Sequence, residues 1–508
     1  MKRMIWMMAL LMAALVARAE MKLPGAISSH MVLQRDMAVP IWGTASPGEK
    51  VVVKFRGQQK EATADANGKW MVKLDPLKAG GPDTLTVNSL TVQDVLVGEV
   101  WVGSGQSNMA GGVRSYAKND PVLAVAEAVA PYPGMRLLKS NGQWAEATGQ
   151  NVGGFSAILF AFGLRLHKEL DVPVGLMLGA VGGTPSGRWL SEEMYKGDTI
   201  CKDVVAKAAV SYSTEKAQRN YEQQAAKWEK DVAAAKAKGE QRLPRKPAPP
   251  VKPGESYAKI GDLYETFIHP YLPYGIRGVL WDQGESGTAI EGVDQFTLMG
   301  ALIRGWRKEW GQGNFPFIYV QKPSGGGCAW NPDDPVTNKG QPFEPLPAKV
   351  PSDGAYVETH IRIMRHPNTG MAISSDLGPM THPTNKSGYG HRAADVALGM
   401  AYGRKIEYYG PLYASHAIEG NKVRVKFTHV GQGLAFKHGD KLQGFALAGD
   451  DKVFHWADAR IDGGTVVVSS AAVSKPVAVR YAWAQKRTWA NLFNKDGLPA
   501  IPFRTDSW

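Results

Sequence analysis

The chain has 508 residues, 44% of them hydrophobic and 21% charged, which is too long for one ordinary domain and enough to bury a substantial core. Its formal charge is +12, but several of the cations fall between Lys216 and Lys252, the pattern of a solvated insertion rather than of a nucleic-acid surface. Two cysteines, Cys201 and Cys328, exclude a cysteine metal cluster and allow at most one bridge in an oxidising compartment.

Residues 1–19 carry Lys2 and Arg3, an apolar stretch from Met4 to Val16, and Ala17-Arg18-Ala19 ahead of Glu20. That is the pattern of a cleavable secretory signal, so an exported protein is expected, periplasmic or extracellular, with a formal charge of +9 once Lys2, Arg3 and Arg18 are lost. No later stretch is apolar enough to span a membrane. From 20 to 93, short alternating runs such as Val51-Val52-Val53-Lys54-Phe55 are broken by Ser46-Pro47-Gly48, Asn67-Gly68 and Gly80-Gly81-Pro82, which predicts an all-β module.

From 94 to 408 the pattern changes. Apolar strand-like runs (Val95 to Val102, Val172 to Ala180, Ile276 to Trp281, Phe315 to Val320, Gly370 to Ser374) alternate with helical segments (Phe155 to Leu170, Val293 to Trp310, Asn385 to Tyr402). Such alternation predicts a parallel sheet covered by helices on both faces. Within this part, residues 205–255 read as an insertion. Thr214 to Lys238 is an exposed helix, and the proline-rich run from Leu243 to Pro253 is its extended return. A second β module, with strands at Lys422 to Phe427 and Thr465 to Val468, occupies 409–508.

In open parallel sheets ligands bind beyond the carboxyl ends of the strands. There this chain places Gly105-Gln106-Ser107-Asn108-Met109, Gly182-Gly183-Thr184-Pro185, Gln283-Gly284-Glu285-Ser286 and Thr381-His382-Pro383. A hydroxyl, a glycine turn, an amide and an imidazole are what acyl transfer requires: a nucleophile, its base, and donors for the carbonyl oxygen as it gains charge. Ser107 is the candidate nucleophile, His382 its base, and the backbone N–H groups of Ser107 and Gly183 with the Gln283 amide the oxyanion donors. Met109 stands where a G-x-S-x-G elbow needs glycine, which disfavours the usual α/β-hydrolase. Ser104 reads as a packed strand residue, and His391 as a surface or packing histidine.

At these residues, and at His30-Met31-Val32-Leu33-Gln34-Arg35, Gly98-Glu99-Val100-Trp101 and Ile268-His269-Pro270, the chain resembles the sialate O-acetylesterase-like branch of the SGNH hydrolases. The resemblance implies a three-layer α/β/α, flavodoxin-like parallel sheet with flanking all-β modules. It also implies hydrolysis of O-acetyl esters on sialic acids or polysaccharides without metal or organic cofactor. The partner would be an acetylated carbohydrate, with no role for nucleic acid. Carried over by position, the family's nucleophile falls on Ser107, its oxyanion glycine on Gly183, its amide on Gln283 and its base on His382.

Two positions depart from that family. Where relatives carry Asp-x-His-Pro, with the aspartate orienting the histidine, this chain has Met380, a departure that also admits a carbohydrate-binding relative with impaired catalysis. Three arrangements are compatible with the sequence: Asp376 reaches His382 from upstream, the reading preferred here; Asp282 substitutes; or a Ser-His dyad works with a backbone carbonyl. Glu285 reads as support for Gln283 or the serine loop. The second departure is Arg188, a cation near the expected pocket that would suit a sugar carboxylate, with a surface arginine as the plainer reading.

Overall fold

A computed structural model describes residues 20–508 apart from 141, 241, 242, 245 and 380. The expected signal segment and Met380 therefore lie outside the described residues.

The chain folds around a central, mostly parallel sheet. Its strands run in the order Thr369–Ala372, Phe317–Val320, Gly278–Asp282, Leu90–Gly105, Val174–Ala180, Tyr132–Lys139 and Trp144–Ala147. All neighbours pair in parallel except the last two, which are antiparallel. Continuous apolar runs form these strands because parallel strands are covered on both sides; Val100, Trp101 and Val102 are all fully buried. The pair Tyr132–Lys139 and Trp144–Ala147 was not foreseen, since Pro133 and Gly134 punctuate it and Arg136 interrupts its apolar residues Met135, Leu137 and Leu138.

From Leu90–Gly105 the chain first builds one side of the sheet and then crosses to build the other, so the crevice at a topological switch point opens beside this strand's carboxyl end. The expected helices form with ordinary signals. Ser156 caps Ala157–Leu170 and Asp294 caps Gln295–Trp310, which stops at Gly311 in the left-handed region, φ 63°. Helices Ala157–Leu170 and Lys386–Met400 approach so closely that a Cβ at Gly390 would lie 2.6 Å from the Ala161 Cβ, so glycine sets their spacing.

The N-terminal β segment is not separated from the sheet. Leu90–Gly105 is one 16-residue strand that pairs with Gly80–Val87 at its start and with Val174–Ala180 and Gly278–Asp282 at its end. Ile41, Val53 and Leu85 belong to the same apolar core as Trp101 and Trp281. A boundary at 93/94 thus falls inside a strand, because the apolar run that marks a buried parallel strand extends upstream into a half-exposed antiparallel one. The C-terminal segment has its own core around Val425, Phe445, Val466 and Tyr481. There the four-stranded sheets 412–419/422–428/465–469/458–462 and 454–456/445–448/478–481/503–504 pair antiparallel.

In the insertion, Thr214–Ala237 is a 24-residue helix with Ala235 its only buried side chain among the described residues. The proline-rich return lies against it, with the Trp228 indole N–H donating to the Pro244 carbonyl at 2.8 Å. Cys201 and Cys328 are both buried free thiols. The two thiols are not bridged: Cys201 sits in the helix Thr199–Ser211, and the Cys328 thiol donates to the Ala490 carbonyl. No described helix is long and apolar enough to cross a membrane.

Candidate active site

The strand Leu90–Gly105 ends at Gly105, whose φ of 132° and close approach both require glycine: a Cβ there would be 2.1 Å from the Asp282 carbonyl oxygen. The Gln106 N–H donates to that same oxygen at 2.8 Å, and Ser107 then opens the four-residue helix Ser107–Ala110. The sheet thus presents Ser107 at its carboxyl edge, half-buried, while Asn108 beside it is fully buried.

His382 arrives from the far side of the sheet, on the loop after Thr369–Ala372, and is exposed. Its Nε2 lies 2.8 Å from the Ser107 Oγ although the two residues are 275 apart in the chain. This is the contact a base needs to take the serine proton. Downstream of it Asn385 caps the helix Lys386–Met400, accepting from the Gly388 N–H at 2.8 Å.

The glycine turn closes the third side. A Cβ at Gly182 would sit 3.5 Å from the Ser107 Cβ and 4.0 Å from its backbone N, and Gly183 has φ 71°. Thr184 pins the turn: its hydroxyl donates to the Val181 carbonyl at 2.8 Å and accepts from the Trp189 indole at 3.0 Å. Gln283 is buried behind it. Its amide N–H groups reach the Gly287 carbonyl at 3.0 Å and the Thr184 carbonyl at 3.3 Å, and its oxygen accepts from Gln295 at 2.9 Å.

Of the two carboxylates weighed as the orienting acid, each is committed to a buried cation. Asp376 is fully buried with Arg392 at 2.8 and 3.4 Å; burial pushes its carboxyl above the usual aspartate range, against the pull of Arg392. Asp282, also fully buried and also shifted upward by burial, accepts from the Lys322 ammonium at 2.5 Å. Lys322 gives a second bond, 2.8 Å, to Glu285. Burial would raise the Glu285 carboxyl, but the attraction of Lys322 outweighs it and holds it low. Glu285 also accepts from Asn108 at 3.2 Å, so it meets the serine loop rather than Gln283. Arg188 is spoken for as well, bidentate on Asp262 at 2.5 and 2.8 Å.

Ser104 is fully buried on its strand, as expected. The His391 ring is pushed down to about 4 by burial and by Arg165. One grouping of possible metal ligands occurs among the described residues, His30, Asp94 and Glu146. There Arg136 already supplies a cation, donating to both Asp94 oxygens at 2.8 and 3.0 Å.

Known proteins resemble this chain over nearly its whole length. Residues 97–230 match the family described as carbohydrate esterase, sialic acid-specific acetylesterase. The solved structure of a carbohydrate acetylesterase from Xanthomonas citri superposes with a TM-score of 0.73 and 31% identity, covering 96% of this chain and all of that one. This chain belongs to the sialate O-acetylesterase-like carbohydrate esterases. Relatives named sialate O-acetylesterase include the human protein, 27% identical over 94% of this chain and 91% of its own. The mouse protein is 28% identical over 94% and 93%. Sequence reasoning for this esterase missed Lys322, Gln295 and Arg392, whose partners lie 12 to 40 residues away. It passed over Asn108, which directly follows the nucleophile in its motif block, and Lys386, four residues after His382; an amide and a lysine so near the nucleophile and base were the available signal.

Proposed function

We propose that this protein is an exported serine esterase that removes acetyl groups from carbohydrate hydroxyls through an acetyl-serine intermediate, on an SGNH-type three-layer α/β/α sheet. The 2.8 Å contact between the Ser107 Oγ and the His382 Nε2 carries the reading. Ser107 attacks the ester carbon while His382 takes its proton; the imidazolium then returns that proton to the departing sugar oxygen, leaving acetyl-Ser107. Water, deprotonated by the same histidine, attacks the acyl carbon, and the histidine gives that proton to the departing Ser107 Oγ as acetate is released. The Ser107 and Gly183 N–H groups hold the oxyanion, and Gln283 joins them by giving up its longer bond, the one to Thr184.

In this reading Asp376 and Asp282 are ion-pair partners of Arg392 and Lys322, and the chemistry rests on the Ser107–His382 pair. An assembled nucleophile and base support catalysis over a carbohydrate-binding role alone. Acetate release from p-nitrophenyl acetate, acetylated sialic acid and acetylated xylan is the test, with Ser107→Ala as comparison. Activity that Ser107→Ala abolishes is expected. Activity that survives the substitution, or none in the folded parent protein, overturns the reading.

A further inference from the structure

Beneath the nucleophile lies an arrangement that the chemistry above does not use. The Asn108 side chain follows Ser107 directly, and its amide nitrogen donates to the Thr381 carbonyl at 2.8 Å, the residue directly before His382. One amide therefore bridges the neighbour of the nucleophile to the neighbour of the base. Thr381 has φ 75°, a region that a β-branched residue occupies only when its surroundings hold it there.

The direction of the Asn108 amide is set from all sides. The Lys386 ammonium donates to its oxygen at 2.5 Å, while its nitrogen faces two pure acceptors, the Thr381 carbonyl and the Glu285 carboxylate. A protonated lysine has three donors and no acceptor, so it admits only the amide oxygen on its side. Lys386 is fully buried at the start of its helix, with its ammonium over the rings of Tyr116 and Tyr389 at 4.7 and 5.3 Å.

We propose that Asn108 and Lys386 are positioning residues, a clamp that holds the histidine loop on the serine helix in the geometry that proton transfer requires. The inference rests on the Ser107–His382 reading and extends it. It also gives the clamp a dependence on pH. Burial pushes the Lys386 ammonium down to about 7, with Lys322 adding to the fall and Asp282, Glu285 and Asp120 opposing it. Those charges and the two tyrosines are what face it. Once neutral, the amine donates more weakly to the Asn108 oxygen, so the amide keeps its sense through Thr381 and Glu285 but loses the charge-assisted bond that anchors its other end, and the clamp loosens as pH rises.

The experiment is steady-state hydrolysis of p-nitrophenyl acetate from pH 5 to 9 by the full protein and by Lys386→Met, Asn108→Asp and Ser107→Ala, with thermal melting of each. Asn108→Asp is isosteric and keeps an acceptor for Lys386 but cannot donate to Thr381. Both clamp variants are expected to lose kcat at least tenfold at pH 6.5 with KM within twofold. The parent's kcat should fall on the alkaline side, and Lys386→Met should lack that limb while melting cooperatively. Wild-type kcat in Asn108→Asp, or a parent-like alkaline limb in Lys386→Met, overturns the clamp while leaving the serine reading intact. Activity retained in Ser107→Ala overturns both.

Discussion

Replacing Lys386 with methionine keeps much of the side chain's length and removes a charge that the fold holds entirely away from water. In the unfolded chain that lysine keeps its proton to about 10.4, whereas in the folded protein it loses it at about 7. Between those values the unfolded state binds more protons, so the lysine's contribution to stability rises with pH. Below about 7 the fold carries the full cost of the buried ammonium. At about 1.4 kcal/mol per pH unit, the parent should gain about 3 kcal/mol on the variant between pH 6 and 9.5. Other titrating groups act alike in both proteins and cancel in the difference. Guanidinium unfolding of both across this range, followed by tryptophan fluorescence, measures it. A difference that stays flat within about 0.5 kcal/mol, or that moves against the parent as pH rises, would refute the reasoning, because it would mean that the ammonium finds as much stabilisation inside as in water.

Asp376→Asn should leave kcat within about tenfold of the parent, since its carboxylate faces Arg392; an orienting acid would cost on the order of 10⁴, and a loss of that size would return Asp376 to the catalytic set. Gln283→Ala should lower kcat by about 10² to 10³ with little change in KM, the usual cost of one oxyanion donor; a variant within fivefold of the parent would confine Gln283 to bracing the turn. Arg188→Ala should affect charged and neutral acetylated sugars equally, because the Asp262 carboxylate already neutralises the guanidinium through its Nε and Nη2 donors. A selective KM increase for acetylated uronic or sialic acids would instead place that guanidinium on substrate.

The strands that carry the site were legible because parallel strands buried on both faces are written as apolar runs: Ile276 to Trp281 anticipates Gly278–Asp282, and Phe315 to Val320 anticipates Phe317–Val320. The meeting of Ser107 and His382 at 2.8 Å was legible for a related reason, since a parallel sheet displays its strand ends along one edge. Charge pairing was not. Arg188 and Asp262 lie 74 residues apart, and Lys322 and Asp282 lie 40 apart. Which acid a cation meets depends on the order of strands in the sheet, and local periodicity is silent on that order. The preference for Asp376 rested on nearness in sequence to His382, yet Arg392 lies one turn beyond Gly388 on the helix that His382 precedes. With a guanidinium within 2.8 Å, that carboxylate had a partner that proximity reasoning did not weigh.

The same limit explains why the support of the site is harder to read than its reactive groups. Lys322, Lys386, Asp282 and Glu285 form a balanced set of two cations and two acids under the serine loop. Burying such charges seldom adds net stability, and apolar residues of similar size often serve the fold as well or better. Directional groups do what apolar packing cannot: they fix which way the Asn108 amide points and hence where the Thr381 carbonyl and the His382 ring lie. A site that must hold a base within hydrogen-bond reach of its nucleophile gains from supports whose donors and acceptors admit one arrangement. Within the set the Lys322 and Glu285 charges are held by their pairing, whereas burial pushes Lys386 down and Asp282 up, so the cost of keeping this geometry falls on Lys386 and Asp282.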